Sequence, residues 1–219
     1  VVMGVKETLT ERKGFTTEVF KIHKRDLLEP RVLVTCIVML LTAYSYGAVF
    51  TVLPDFAKFV GMKNAGVPFG LLPVASLSVR ILAGRASDRY GRRRILMISS
   101  MLCAVAMALL AVGETSLELM IAITLYGAAH GMTSPTLLAW ATDLSDEKHK
   151  GRGISSLYIF MEMGIGVGAF SSGLIIADNP TNFFTTFVTC SLLCFVAFCY
   201  LIIHWQRHIR KAKEQTPQP

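Results

Sequence analysis

Six apolar stretches set the terms for this chain. They lie at about residues 32–56, 66–86, 94–112, 117–143, 152–177 and 183–205. Each approaches the roughly 20 residues that an α-helix needs to cross about 30 Å of hydrocarbon. In lipid every backbone amide and carbonyl must be satisfied internally, so stretches of this length fold as helices. The expected class is an all-α integral membrane protein with six transmembrane helices. Charge is scarce in agreement: 17% of the 219 residues are Asp, Glu, Lys or Arg, where soluble domains carry roughly 25%.

Connectors between the stretches alternate between short neutral turns and basic loops. With the N-terminus placed in the cytoplasm, 20 of the 22 Lys and Arg residues fall on the inner side, leaving Lys58 and Lys63 outside. That bias orients a multi-pass protein of the plasma membrane with both termini cytoplasmic. The net charge of +7 is spread over short clusters between apolar spans, which fits topology determinants and anionic lipid rather than nucleic acid. Residues 1–31 read as a cytoplasmic linker, 32–205 as the membrane domain and 206–219 as a basic cytoplasmic tail. The opening Val-Val-Met-Gly-Val-Lys-Glu reads as the end of a helix, so the chain is expected to start in mid-protein. The five cysteines all lie within apolar stretches, where buried thiols act as small hydrophobes.

The most patterned connector is Gly84-Arg85-Ala86-Ser87-Asp88-Arg89-Tyr90-Gly91-Arg92-Arg93-Arg94. Gly84 permits close helix approach and Gly91 a tight turn. Asp88 is placed to cap free amides at the start of the next helix, where the macrodipole favours an anion. The pattern resembles the loop signature of the major facilitator superfamily, and Arg80-Ile81-Leu82-Ala83 resembles the usual approach to it. Pro135, Asp143 and Lys150-Gly151-Arg152-Gly153 resemble the family's connection between its fourth and fifth helices. The resemblance implies the C-terminal half of a facilitator, six helices built as a 3+3 inverted repeat, paired with an N-terminal half. It also implies secondary transport of a small-molecule substrate by alternating access. Asp88, Arg92, Asp143 and Arg152 would then latch a cytoplasmic gate together with Gly84, Arg85, Arg89 and Gly91. The alternative for these charges is ordinary solvated pairing at the interface.

Glu162 is a mid-span carboxylate, about 16 Å beyond Gly151 at 1.5 Å per residue. Helical spacing places Ser155, Tyr158, Gly166, Ala169 and Gly173 on its face. An ionisable group at that depth must face a cavity or a partner, which makes it the candidate for carrying protons. A permanently neutral acid bonded to a carbonyl is the alternative. His130 lies at similar depth in the fourth span, so a His130–Glu162 contact is expected if sequential helices adjoin; otherwise it is a packing residue. Tyr46, Tyr158 and Ser134 complete the expected solute and proton pathway. Tyr46-Gly47 before Pro54 parallels Tyr126-Gly127 before Pro135, as an internal repeat would require. Gly164 and Gly168 form a G-x-x-x-G pair suited to helix contact.

No H-E-x-x-H, G-x-S-x-G, phosphate loop or Cys/His metal spacing occurs. The chain is therefore not expected to be an enzyme or to carry a cofactor. Two other readings stay open: a six-helix half that pairs with itself, and a membrane sensor or assembly protein that transports nothing.

Overall fold

The structure, a computed structural model, describes residues 28–147, 150–178 and 182–214. A 3-10 turn at Pro30–Val32 leads into α1 (Leu33–Phe59), followed by α2 (Gly66–Tyr90), α3 (Arg92–Val112), α4 (Ser116–Leu144), α5 (Lys150–Asp178) and α6 (Phe183–Glu214). The expected linker lies largely outside the described residues. Its end belongs to the helical body, where the Glu29 amide donates to Ser156 Oγ at 2.9 Å and Val32 is buried. At the other end α6 continues as helix through residues expected to form a tail.

Helix ends follow from local chemistry. Gly61 and Gly91 have positive φ, 78° and 90°, and end α1 and α2. Thr115 and Glu118 form a capping box that starts α4, with Glu118 Oε2 accepting from the amides of Glu114 and Thr115 at 2.9 and 3.0 Å. Pro54, Pro73 and Pro135 lie inside helices, as membrane helices tolerate.

Among the described residues five helices are long and apolar enough to cross a membrane; α4, although 29 residues long, holds no stretch apolar enough by the same measure. Two of its polar groups bond to other helices: Thr133 Oγ1 donates to Ser99 Oγ at 3.0 Å, and Tyr126 and Ser45 share a hydrogen bond of 3.1 Å.

Packing obeys an internal exchange. The dominant contacts are α1 with α5, α2 with α4, α3 with α6, α3 with α4, and α1 with α6. Swapping α1 with α4, α2 with α5 and α3 with α6 maps this set onto itself, which is the pattern of a 3+3 repeat. The glycines obey it too. A Cβ on Gly47 would stand 2.0 Å from the Ile165 carbonyl oxygen of α5, and one on Gly127 would stand 2.6 Å from that of Leu72 on α2. From α5, Gly164 and Gly168 press against the backbone of Leu40 and Tyr44. Bare backbone is what lets these helix pairs touch.

The exchange leaves α2 and α5 at opposite flanks. In their apolar stretches only 22% and 17% of residues are buried, against 67% in that of α1.

Candidate functional site

At mid-depth α1 and α4 meet through rings. Tyr46 and His130 stack with centroids 4.6 Å apart and planes 16° apart, and Tyr126 stands 6.2 Å from the same imidazole. The stacked pair separates two cavities. One, of about 190 Å³, is lined by Thr42, Tyr46, His130, Thr133, Ser134 and Met161 among others. The second, of about 340 Å³, opens toward α2 and is lined by Tyr46, Ser76, Arg80 and His130 with apolar neighbours. The structure thus brings the expected Tyr46, His130 and Ser134 together.

Arg80 is the residue that sequence reasoning misplaced. Counting it among the 20 inner basic residues puts it at the end of its span, beside the basic connector. Because α2 runs unbroken to Tyr90, Arg80 lies about 15 Å short of that end and about 21 Å beyond Gly66, at 1.5 Å per residue. Its side chain is exposed on the open flank and forms no ion pair among the described residues. The signal was available in Ile81-Leu82-Ala83, an apolar run that carries the helix past the arginine.

Glu162 does not meet His130. Helices α4 and α5 touch only lightly, because each packs on a helix from the other repeat. Met161 and Ile165 reach the His130 cavity from α5, whereas Glu162 is exposed on the neighbouring face. It lies about 18 Å from the first residue of α5, and has no hydrogen bond or ion pair among the described residues. Tyr158, 47% exposed, shares that face, as do Gly166 and Gly173, where an added Cβ would meet nothing within 4 Å.

The patterned connector is helix, not loop. Gly91 alone separates α2 from α3. Asp88 therefore sits in the last turn of α2 and caps no amide: α3 has no side-chain cap, and the Asp88 carboxylate pairs with Arg92. Arg92 Nε also donates to Asp143 Oδ2 at 3.1 Å, and its Nη1 to Ser87 Oγ at 3.1 Å. One guanidinium thus ties α2, α3 and α4 together. Arg85 and Arg89 are exposed, with Arg89 5.6 Å above the Tyr90 ring, and Arg152 is half-buried in the first turn of α5. No described residue approaches Gly84: nothing lies within 4 Å of a Cβ built on it.

A sequence profile of the Major Facilitator Superfamily matches residues 12–219. The chain belongs to this superfamily. Within it, the chain is similar to the quinolone resistance protein NorA of Staphylococcus aureus, 29% identical over 132 residues, which cover 57% of this chain and 34% of NorA. It is also similar to the multidrug resistance protein MdtH of Aeromonas salmonicida, 24% identical over 160 residues, covering 70% of this chain and 40% of MdtH. The fold matches the crystal structure of the POT family transporter PepTSo with a TM-score of 0.68 at 18% identity, over 81% of this chain and 37% of that one. The chain spans between a third and two fifths of the length of the facilitators it matches. Its six helices thus form a multi-pass facilitator body of the membrane.

Proposed function

We propose that this chain is the C-terminal six-helix body of a secondary transporter that moves a small solute by alternating access, coupled to protons. The observation that carries the reading is a set of ionisable and polar groups at mid-membrane depth on faces that no helix of this body covers. Glu162 and Tyr158 stand on α5, and Arg80 stands on α2 beside the His130–Tyr46 pair. Charged groups there are costly against lipid and belong to a water-filled pathway or to a partner surface. A second six-helix body, covering the flanks of α2 and α5, would enclose that pathway. The Ser87–Asp88–Arg92–Asp143 cluster would latch its cytoplasmic end. The names of two relatives point to drug-like solutes as first probes.

The test is transport by the full-length protein in proteoliposomes under an imposed proton gradient, with a quinolone and the dye ethidium as probes. Gradient-dependent movement of either, abolished by a protonophore, supports the reading. Movement that ignores the gradient removes the proton coupling. If neither probe moves but both bind, the sensor alternative gains.

A further inference from the structure

The basic end of α3 carries a second feature beside the gate cluster. Arg92 engages both nearby carboxylates, Asp88 and Asp143. Arg93 and Arg94 form no ion pair among the described residues; instead each lies over an indole, Arg93 5.6 Å from the Trp140 ring centre and Arg94 5.9 Å from that of Trp205. These four side chains line an open cavity of about 680 Å³ at the end of the helices, whose wall also holds Asp88 and Asp143, both neutralised by Arg92.

A groove of about 800 Å³ between α3 and α6 begins at the same Arg94 and Trp205. Below them its walls are almost wholly apolar: Met97, Met101 and Val105 from α3, Phe198 and Ile202 from α6. From Met97 to Val105 it follows α3 for about 12 Å. Ile98, Met101 and Val105 are 58%, 40% and 41% exposed, so this face looks outward from the body. A cationic head with an aromatic rim, continuous with an apolar trough of that length, suits an amphiphile with an anionic head and an acyl chain beneath it.

We infer that the α3–α6 groove binds an anionic phospholipid, its phosphate held by Arg93 and Arg94 and one acyl chain laid along Met97, Met101 and Phe198. Trp205 sits at the junction of head and chain, the interfacial depth that tryptophan favours. Arginine suits the role because its planar fork holds a phosphate while its face stays on the indole. In the orientation expected from the basic residues this is the cytoplasmic leaflet, where anionic lipids attract basic segments. The groove lies on a different face from Glu162 and Arg80, while its cationic head adjoins the Asp88–Arg92–Asp143 cluster.

The experiment reads Trp205 fluorescence in the full-length protein, reconstituted into vesicles of brominated-chain phosphatidylglycerol or brominated-chain phosphatidylcholine mixed with their unbrominated forms. The Trp205 signal is the difference from a Trp205→Phe variant. Phosphatidylglycerol is expected to be preferred at this position by about fivefold or more, the effect of about one interfacial arginine. Arg93→Gln with Arg94→Gln brings the preference to unity, Arg94→Lys lowers it because the fork over the Trp205 ring is lost, and Arg31→Gln, at a separate basic residue, leaves it intact. Equal quenching by the two lipids in the unmodified protein overturns the assignment. So does an equal loss in Arg31→Gln, which would make the effect general surface charge. Absence of quenching by either lipid also overturns it, since a protein surface would then cover the groove.

Discussion

His130 and Tyr46 lie nearly face to face, 4.6 Å between ring centres, and so join the first helix of each three-helix repeat at the middle of the body. An aromatic pair contributes about 0.5–1.5 kcal/mol beyond its buried area. Tyr46→Leu should therefore lower the thermal unfolding midpoint by more than Tyr46→Phe, which keeps the ring. Equal shifts in a melting experiment would mean that the stack stabilises nothing.

Two glycines two residues apart should behave oppositely. A Cβ on Gly168 would stand 2.1 Å from the Tyr44 carbonyl oxygen, whereas one on Gly166 meets nothing within 4 Å. Gly168→Ala is expected to cost about 1–3 kcal/mol by forcing α1 and α5 apart, visible as a depressed unfolding midpoint. Gly166→Ala should leave that midpoint in place. Any loss of transport in it would then mark the open face as functional.

Arg92 bridges three helices through a fork, so charge alone should not replace it. A double-mutant cycle with Arg92→Gln and Asp143→Asn should give a coupling of about 0.2–1 kcal/mol, the range for exposed pairs. Arg92→Lys is expected to resemble the Gln variant more than the parent. Zero coupling together with normal transport would leave the cluster as surface decoration.

Glu162→Gln keeps the shape of the side chain while fixing it neutral. Under the proposed coupling role, exchange of solute across vesicles without a gradient should persist, while proton-driven accumulation is lost. The contrast between the two assays in the same vesicles is the measurement. Undiminished driven accumulation would assign coupling to another residue.

Orientation is open to direct labelling. In a background without native cysteines, a cysteine at Lys63 should react with an impermeant maleimide from outside the cell, and one at Arg89 should not. Labelling in the reverse pattern would invert the topology.

The number and order of the helices were legible because apolar composition is a local property, whereas α2 and α6 run past their apolar stretches to Tyr90 and Glu214. The parallel between Tyr46-Gly47 and Tyr126-Gly127 was legible too, and both glycines press on a helix of the other repeat. Helix neighbours were not. Expecting His130 to meet Glu162 assumed that consecutive spans adjoin, but exchange between repeats places α5 on α1 and α4 on α2. Nor was the depth of Arg80, since hydropathy places a basic residue near water whether or not the helix ends there. At Gly84 no helix of this body arrives: absence of a side chain marks where contact is permitted, not where another helix lies.

The single-residue joint at Gly91 leaves the chain no slack. An α-helix turns about 100° per residue, and no loop stands between α2 and α3 to absorb a change in count. One residue inserted between Gly84 and Asp88 would swing the whole upper part of α2 around its axis relative to the Arg92 anchor. Ser76 and Arg80 would leave the side of α2 that lines the His130 cavity. Spacing in this segment is thus a phase constraint reaching to mid-membrane: its length cannot drift by a single position.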